Sequence, residues 1–232
     1  LHQPVKNCVK IPAGLNLDAV AALPCAGPTG IRAFTYAGGL EKGELVVVQG
    51  TGPVGLFAIA YAAKAGCHVV AIGSGNNPAR LKLAKEFGAE AVIDYRQVKP
   101  EDRLKQVNDL AAKLGRGNGA DVVFEASGAP TAIPEGMNLV RTRGRYLVPG
   151  QYSASGQVSI NPELITFKAI RIIGSGQYTY ADIATYLDFL KKNEDTQKAF
   201  ASCISHRFKV ADAEKACAEA SKGSTVKAVF VS

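Results

Sequence analysis

The sequence of 232 residues lacks the features that mark membrane and secreted proteins. It has no tryptophan and a single methionine, and no apolar run approaches the ~18–20 residues that a membrane-spanning helix needs. Its first four residues show no basic segment followed by an apolar one, which is the pattern of a signal peptide. We therefore expect no membrane partner. Because the sequence begins with leucine, we also expect that its first residue is a cut end.

Paired cysteines and dense basic stretches are also missing. The five cysteines, at positions 8, 25, 67, 203 and 217, contain no Cys-x-x-Cys motif and no disulfide-like spacing. Such scattered thiols are typical of a reducing compartment, so we predict a cytoplasmic protein. The formal net charge is +7, but the lysines and arginines are scattered and are not interleaved with aromatics. This pattern indicates a solvated basic surface and predicts no nucleic-acid partner.

The clearest positive pattern lies in residues 45–75. An apolar run rich in β-branched residues is followed by Gly-x-Gly-x-x-Gly, an alanine-rich segment and a second apolar run. This order predicts a strand–turn–helix–strand unit in which the helix N-terminus faces a pyrophosphate. The glycines permit the tight turn, the approach of phosphates and close helix–strand packing, and a proline suits the first helical turn. We predict phosphate contacts at Gly50, Gly52, Pro53, Val54 and Gly55.

Alternating strands and helices extend through most of the chain. Six apolar runs, separated by segments of helical periodicity, predict an α/β fold with a doubly wound parallel six-stranded sheet in the order 3-2-1-4-5-6. Ligands of such sheets bind at the carboxyl ends of the strands, where this sequence repeatedly has glycine and other small residues. We add to the cofactor-binding site the residues that follow strands two, four, five and six: Gly73, Ser74, Ala126, Ser127, Gly128, Pro149, Gly150, Gly174 and Ser175.

The two ends of the chain depart from this alternation. Residues 1–14 are predicted to be an extended remnant of a second, mainly β domain, with a short strand over 9–12. Residues 196–232 are predicted to return to that domain as two strands around a helix, whereas 15–195 form the dinucleotide-binding domain. Asn16 is expected to cap a helix over 18–22. Prolines and a cysteine in 23–30 are expected to interrupt the helical region before a second helix over 31–37.

The second strand ends without the acidic residue that usually holds the ribose 2′-hydroxyl of NAD. It ends instead in Gly73 and Ser74, and the nearest acids in the adjoining sequence, Glu86 and Glu90, lie on or after the next helix. An acid would repel a 2′-phosphate, so its absence favours NADP, with NAD left open. Arg80 is a candidate partner for that phosphate, or else an ordinary solvated helix residue.

Five features together resemble a known family. They are Leu-Pro-Cys-Ala-Gly-Pro-Thr-Gly (23–30), the glycine turn (50–55), Ala-Lys-Glu-Phe-Gly-Ala (84–89), Asp-Val-Val-Phe-Glu-Ala-Ser-Gly (121–128) and the ending around Val226 and Lys227. They resemble the medium-chain dehydrogenase/reductase superfamily of the zinc-containing alcohol dehydrogenase type. The resemblance covers essentially the whole chain, which corresponds to the C-terminal two-thirds of such an enzyme. It implies hydride transfer between a nicotinamide cofactor and a small alcohol or carbonyl substrate.

The resemblance also implies roles for individual residues. Cys25 stands where the family has one of three protein ligands of a catalytic zinc, and Thr29 stands where a threonine lies by the nicotinamide. The turn 174–176 matches the segment that borders the nicotinamide, and Lys227 matches a basic residue that approaches the pyrophosphate. The remaining zinc ligands and the proton relay belong to an N-terminal catalytic domain outside this sequence. No complete catalytic set is therefore expected here, and zinc is expected only in the complete enzyme.

Several alternatives stay open on the sequence alone. Zinc-independent quinone- or enone-type reductases of the same superfamily can carry a similar stretch around Cys25, and a small cysteine in a buried turn is common. The isolated chain is also readable as a nucleotide-binding module without turnover. The family implies a homodimer or tetramer, with the sixth strand, residues 170–173, at the exposed sheet edge.

Overall fold

The computed structural model describes residues 3–152, 155–223 and 225–231. Within them, the strands are β1 Leu45–Gln49, β2 His68–Gly73, β3 Ala91–Asp94, β4 Ala120–Glu125, β5 Val140–Val148, β6 Arg171–Gly174, β7 Ile204–Lys209 and β8 Lys227–Val231. The α-helices are α1 Leu17–Ala22, α2 Ala26–Tyr36, α3 Pro53–Lys64, α4 Pro78–Glu86, α5 Pro100–Lys113, α6 Ala132–Leu139, α7 Glu163–Phe167, α8 Tyr180–Lys192, α9 Glu194–Ala201 and α10 Ala213–Ser221.

The six predicted strands form one parallel sheet in the order β3-β2-β1-β4-β5-β6, which confirms the predicted topology. Strand β1 is central, pairing with β2 on one side and β4 on the other. From β1 to β3 the chain adds strands in one direction, and from β4 to β6 it adds them in the other. The switch point of the sheet therefore lies between β1 and β4. That reversal opens a crevice at the carboxyl ends of these two strands, which is where ligands of doubly wound sheets bind.

Both faces of the sheet are covered by apolar side chains, which explains the continuous apolar sequence of β1. Val46 and Val48 pack with residues of α1, α2, α3, α8 and α9, whereas Leu45 and Val47 pack with residues of α5 and α6. All four side chains are fully buried. Burial of each contributes about 1.5–3 kcal/mol, so the strand is fixed in its central position by hydrophobic free energy from both sides.

Local capping residues fix several helix starts. The Asn16 side chain accepts hydrogen bonds from the backbone N–H groups of Asp18 and Ala19, which confirms the predicted cap of α1. Asn77 caps α4 by accepting from the N–H of Arg80, and a proline occupies the next position, where its missing N–H costs nothing. The start of α4 beside the second strand end is thereby set by sequence.

Two local predictions near the N-terminus are wrong. Residues 9–12 form no strand in the described structure; they follow a short 3-10 turn, Val5–Asn7, and have no neighbouring strand with which to form a ladder. The second helix begins at Ala26 rather than residue 31. Pro28 lies in its first turn, and the N–H of Gly27 donates to the carbonyl of Leu23, so the prolines bound the helix instead of interrupting it.

The C-terminal segment forms a small separate sheet in which β7 and β8 pair in parallel around α10. The predicted strand–helix–strand order of the tail is thus found, and the preceding helix α9 was not predicted. Residues 1, 2, 224 and 232 of the predicted end segments lie outside the described residues, and the domain boundaries themselves stay a prediction. No helix in the described ranges is both long and apolar enough to cross a membrane.

Candidate cofactor site

The glycine turn after β1 is shaped by close backbone contacts. Gly50 has a φ of +106°, and a β-carbon at Gly55 would lie only 1.9 Å from the carbonyl oxygen of Gly50. Gly52 caps α3 without a side-chain hydrogen bond, and a β-carbon there would meet no atom within 4 Å. With Pro53 in the first turn, α3 therefore directs uncapped N–H groups toward open space. This arrangement suits a phosphate group.

Next to this turn lies a cavity of about 1060 Å³. Its walls come from the carboxyl ends of β1, β2 and β4, from the loop after β3 and from α5 and α6. Seven of the predicted cofactor residues line it: Gly50, Gly52, Gly73, Ser74, Arg80, Ala126 and Ser127. A cavity of this size exceeds the usual range for a drug-sized ligand, so it has room for a large part of a dinucleotide.

A buried polar network that sequence reasoning missed forms one wall of the cavity. The Gln49 side chain donates to a Glu135 carboxylate oxygen (3.1 Å), and Arg103 Nε donates to the other oxygen of that carboxylate at 2.5 Å. Arg103 also donates to the backbone carbonyls of Tyr95 and Val98. Gln49 is a polar residue at the end of the otherwise apolar β1, and that position is the one sequence signal from which it could have been found. The network rigidifies the wall, because its buried polar groups are hydrogen-bonded.

The end of β2 explains why no acid stands there. A β-carbon at Gly73 would lie 2.6 Å from Leu81 and 2.7 Å from Thr51, so no larger side chain fits without rearrangement. An acid reaches this region from the neighbouring strand instead. Asp94 pairs with Gly73 in the sheet register, and its Oδ1 accepts hydrogen bonds from the N–H groups of Gly75 and Arg96. Asp94 was not predicted, because it lies on another strand, 21 residues after Gly73 in the sequence.

Arg80 lies beside the same strand end and carries an unbalanced charge. Its Nη2 donates to the carbonyl of Thr225 (2.8 Å), and its buried Nε has no hydrogen-bond partner among the described residues. No carboxylate in the described ranges forms an ion pair with it. Burial lowers the pKa of this guanidinium from its usual value. A partly desolvated cation without a counter-ion favours an anion in the cavity that it lines.

The ends of β4 and β5 are joined by one buried carboxylate. Glu125 is fully buried, and its Oε1 accepts from Ser127 N (2.7 Å), Ser127 Oγ (2.6 Å) and Gly128 N (2.9 Å). Its Oε2 accepts from the side chain of Gln151 on the loop after β5. A β-carbon at Gly128 would lie 2.9 Å from the carbonyl oxygen of Gly150, so these two turns touch. Glu125 thus positions both turns.

The ends of β5 and β6 lie outside the large cavity. Ser175, directly after β6, is 6% exposed, and its Oγ has no hydrogen-bond partner in the described residues. Its N–H lies 3.5 Å from the carbonyl oxygen of Val148, just before Pro149, which places the two strand ends side by side. A buried hydroxyl without a partner is expected where a polar ligand supplies one. Gly174 and Ser175 therefore fit a ligand-binding turn.

Cys25 lies at the junction of α1 and α2 and is exposed. Its Sγ is 4.0 Å from Thr29 Oγ1, and the Thr29 hydroxyl donates to the Cys25 carbonyl at 2.8 Å. Tyr178, four residues after the end of β6, also meets this cysteine: burial and a hydrogen bond with Cys25 raise the Tyr178 pKa above its usual value. Tyr178 was not predicted, although it follows the turn expected to border the nicotinamide. Cys25, Thr29 and the β6 loop thus share one neighbourhood.

The described residues contain no group of three or more His, Cys, Asp or Glu side chains arranged to hold a metal ion. Cys25 is an accessible thiol and therefore fits a single position in the coordination sphere of a zinc ion, which takes four ligands. Lys227 begins β8 and pairs with Ile204, and it does not line the large cavity. Its predicted contact with the pyrophosphate stays a prediction.

The fold and this site define the class of protein. A doubly wound sheet and an uncapped helix N-terminus after a tight glycine turn fit a bound dinucleotide, as do Arg80 Nε and Ser175 Oγ, which have no partner in the described ranges. The residues that line the cleft thus have the chemistry that a dinucleotide, the usual ligand of this fold class, requires. The protein has a Rossmann-type doubly wound α/β fold, the class whose clefts bind dinucleotides.

Comparison with known proteins identifies the family within that class. The family model described as "Zinc-binding dehydrogenase" matches residues 53–192, and the chain belongs to this family. It is 34% identical over 223 residues to a 5-exo-hydroxycamphor dehydrogenase of Pseudomonas putida, covering 95% of this chain and 60% of that protein. It is also 34% identical over 191 residues to a sorbitol dehydrogenase of Halalkalibacterium halodurans, covering 82% of this chain and 52% of that protein.

Solved structures agree with this assignment. An alcohol dehydrogenase from Thermotoga maritima superposes with a TM-score of 0.87 at 29% identity, covering 96% of this chain and 59% of that one. A benzyl alcohol dehydrogenase from Acinetobacter calcoaceticus, at 21% identity and a TM-score of 0.80, shares the fold. The chain thus spans between half and two-thirds of the length of these relatives.

Proposed function

We propose that the complete protein is an NAD(P)-dependent, zinc-assisted dehydrogenase acting on a small alcohol or carbonyl compound, and that this chain is its cofactor-binding part. The observation that carries the proposal is that two features lie together at the carboxyl ends of the strands. A dinucleotide cleft and an exposed cysteine beside Thr29 both lie at the carboxyl ends of the strands. Membership of the zinc-binding dehydrogenase family and the dehydrogenase names of the relatives support it.

The cleft divides into parts with different tasks. The glycine turn and the first turn of α3 would hold the pyrophosphate, and the large cavity would hold the adenosine half. Thr29, Pro149, Gly150 and the Gly174–Ser175 turn would border the nicotinamide, and Glu125 holds the neighbouring turns in place. The bound nicotinamide supplies the hydride acceptor or donor, and the protein residues orient it and exclude water.

Zinc would be coordinated by Cys25 together with ligands outside this chain. A thiolate is a strong zinc ligand, and a catalytic zinc site needs three protein ligands and one open position. Cys25 lies within reach of Thr29 and Tyr178, so a metal held there would face the nicotinamide side of the cleft. When bound, such a metal polarises the substrate oxygen as a Lewis acid.

We propose NADP as the preferred cofactor, with NAD as the weaker one. Gly73 leaves no room for an acid at the end of β2, Ser74 is half-buried in the cavity wall, and Arg80 has no carboxylate partner among the described residues. Asp94 opposes this preference, but two backbone N–H groups already satisfy its Oδ1. The positive charge of Arg80 therefore outweighs it for a 2′-phosphate.

Fluorescence titration of the chain with NADPH and NADH tests the cleft and the preference together. We expect tighter binding of NADPH, and we expect Ser74→Asp to weaken NADPH about tenfold while leaving NADH nearly unchanged, because two like charges ~4 Å apart repel by about 1–4 kcal/mol. Ser159→Asp, at an exposed position outside the cavity, is the matched control. Tighter binding of NADH by the unaltered chain would refute the NADP preference, and binding of neither would refute the site.

We also propose a homodimer, or a tetramer built from it, joined along β6. This strand pairs only with β5 in the described sheet, and Ile172 on it and Phe167 before it are 43% and 77% exposed. An open edge with exposed apolar side chains is a ready pairing surface. Ile172→Lys should shift the mass measured by light scattering to that of the monomer; an unchanged mass for this variant would contradict the proposal.

The compartment is a further proposal. All five cysteines are free thiols, of which Cys67 and Cys203 are buried. Burial raises the pKa of Cys67 to about 11 and that of Cys203 to about 12, so both stay protonated and unreactive. Free thiols suit a reducing cytoplasm. Thiol counting with and without reductant in freshly prepared cell extract tests this; fewer than five free thiols before reduction would contradict it.

A further inference from the structure

A second cavity, of about 320 Å³, lies at the amino-terminal ends of β1, β4, β5 and β6. The cofactor cleft lies at the other, carboxyl, ends of the strands. Five arginines line it: Arg116, Arg141, Arg143, Arg145 and Arg171. We call it the arginine pocket. The three carboxylates that share its lining are Glu41, Glu44 and Asp121. Five guanidinium groups against three carboxylates leave a formal excess of two positive charges.

Three of the arginines are engaged by two buried carboxylates. Asp121 accepts hydrogen bonds from Arg116 (2.7 and 2.8 Å) and Arg141 (2.6 Å). Glu44 accepts two from Arg145, at 2.5 and 2.6 Å. Arg116 meets both Asp121 oxygens through two nitrogens, a bidentate geometry that restricts both partners, whereas Arg141 and Arg145 each hold a carboxylate through one nitrogen. They form a preorganised wall with one excess positive charge, and Arg143 and Arg171 together with Glu41 add the second.

Arg143 and Arg171 are exposed and form no ion pair among the described residues. Arg171 is the direct register partner of Arg145 on the neighbouring strand, an arrangement in which like charges destabilise a sheet. Arg143 has a φ of +60°, a backbone conformation that few residues other than glycine and asparagine adopt. The Arg145–Arg171 pair and the unusual backbone conformation of Arg143 thus both occur in the lining of one concave surface.

We propose that the arginine pocket binds a phosphate group, either inorganic phosphate or the phosphomonoester of a small metabolite. The guanidinium fork matches two phosphate oxygens, and a dianion offsets the two unbalanced positive charges. The volume admits a phosphate with a short attached chain. The arginine pocket and the cofactor cleft lie at opposite ends of the strands. A phosphate bound in the pocket is therefore distinct from the cofactor phosphates at Gly50 and Gly52.

Amide NMR titration with inorganic phosphate, and separately with glycerol phosphate, tests the proposal and locates the ligand. We expect saturable shifts at Gly38 and Gly144, beside or between the pocket arginines, that are separable from any shifts at Gly50 and Gly52 in the cofactor cleft. Tighter binding of glycerol phosphate would identify an ester ligand, and tighter binding of inorganic phosphate a free anion. Absence of saturable shifts at Gly38 and Gly144 with both probes would overturn the proposal.

Paired substitutions separate a built site from general charge attraction. Arg143→Gln with Arg171→Gln should raise the phosphate dissociation constant at Gly144 by about tenfold or more, since two charge-assisted contacts are lost. Lys191→Gln with Lys198→Gln removes the same charge from exposed positions on α8 and α9 and should change it less than about twofold. Arg143→Lys with Arg171→Lys keeps the charge and serves if the glutamine variant misfolds; we expect intermediate affinity because the fork is lost. Equal dissociation constants for the lysine pocket variant and the unaltered chain, or for the glutamine pocket variant and its control, would overturn the proposal.

Discussion

Replacement of Asp121 by asparagine tests how the amino-terminal edge of the sheet is held together. The Asp121 side chain is 1% exposed and accepts hydrogen bonds from Arg116, from Arg141 and from the backbone N–H of Leu45 at 2.8 Å. It thereby joins β4 to β1 and to the start of β5. Asp121→Asn keeps the volume and one acceptor oxygen, but it removes the charge that two guanidinium groups face.

The magnitude follows from the exposure of the partners. Loss of one member of a fully buried ion pair costs about 3–5 kcal/mol, because the remaining charge is left without compensation. Here the Arg116 and Arg141 side chains are each 32% exposed, so water replaces part of the lost interaction. We therefore expect a loss of about 2–3 kcal/mol in unfolding free energy. For a chain of this length that corresponds to a decrease in Tm of roughly 4–12 °C.

The effect of Asp121 on stability should depend on pH. Burial raises the pKa of Asp121, but hydrogen bonds from Arg116, Leu45 N–H and Arg141 outweigh burial and hold it below the usual value of 3.8. A carboxyl with a lowered pKa in the folded protein contributes fully above its unfolded value and loses its contribution as pH falls through the folded value. The stability difference between Asp121→Asn and the unaltered chain should therefore be full at pH 7 and shrink below about pH 3.8.

Urea denaturation followed by circular dichroism, repeated from pH 7 to pH 3, measures both effects. Asp109→Asn is the matched control, because Asp109 forms an exposed ion pair with Lys105 one helical turn away on α5, and such pairs contribute little. We expect that control to leave the midpoint nearly unchanged. A loss for Asp121→Asn no greater than for Asp109→Asn, or a difference that grows toward acid pH, would refute the reasoning.

Three other substitutions test separate parts of the molecule. Gly55→Ala should abolish NADPH binding in fluorescence titration, because its β-carbon would lie 1.9 Å from the carbonyl oxygen of Gly50. Glu125→Gln should weaken NADPH binding severalfold and lower the unfolding free energy by about 1–2 kcal/mol in urea, since a neutral oxygen replaces a charged acceptor. Phe57→Ala should lower it by about 3–5 kcal/mol in the same assay, because this fully buried ring packs against Tyr61 and Phe189.

Each of these predictions has an opposite outcome that would contradict it. Unaltered cofactor affinity of Gly55→Ala would mean that the glycine turn does not hold the phosphates. Full affinity of Glu125→Gln would mean that its hydrogen bonds do not position the neighbouring turns. A loss below about 1 kcal/mol for Phe57→Ala would mean that the surrounding side chains collapse into the vacated space.

Periodicity in the sequence was sufficient to predict the main sheet. The order of apolar runs and helical segments predicted six parallel strands and their arrangement, and the structure confirms both. The glycine turn was predictable because its spacing is tied to one backbone geometry, visible in the positive φ of Gly50 and the close approach of Gly55. The cap at Asn16 was predictable for the same reason, since capping depends on residues a few positions apart.

Predictions from local sequence failed where the secondary structure depended on residues elsewhere in the chain. Val9 and Ile11 are β-branched and apolar, but a strand needs a partner, and the described structure places none beside them. The proline-rich stretch before residue 31 was expected to break a helix. Pro28 instead occupies its first turn, because the helix starts earlier and packs against α3 and α8.

The sequence by itself determined the strand order, the glycine turn and the small residues at the strand ends, because each depends on periodicity or on short-range spacing. Only the tertiary structure brought Asp94 to Gly73, Arg80 to Thr225 and Tyr178 to Cys25. These contacts join residues that are 21 or more positions apart, or that lie on different elements, so no local pattern records them. The pairing of Arg145 with Arg171 likewise follows from the sheet register alone, which the packing of both sheet faces fixes.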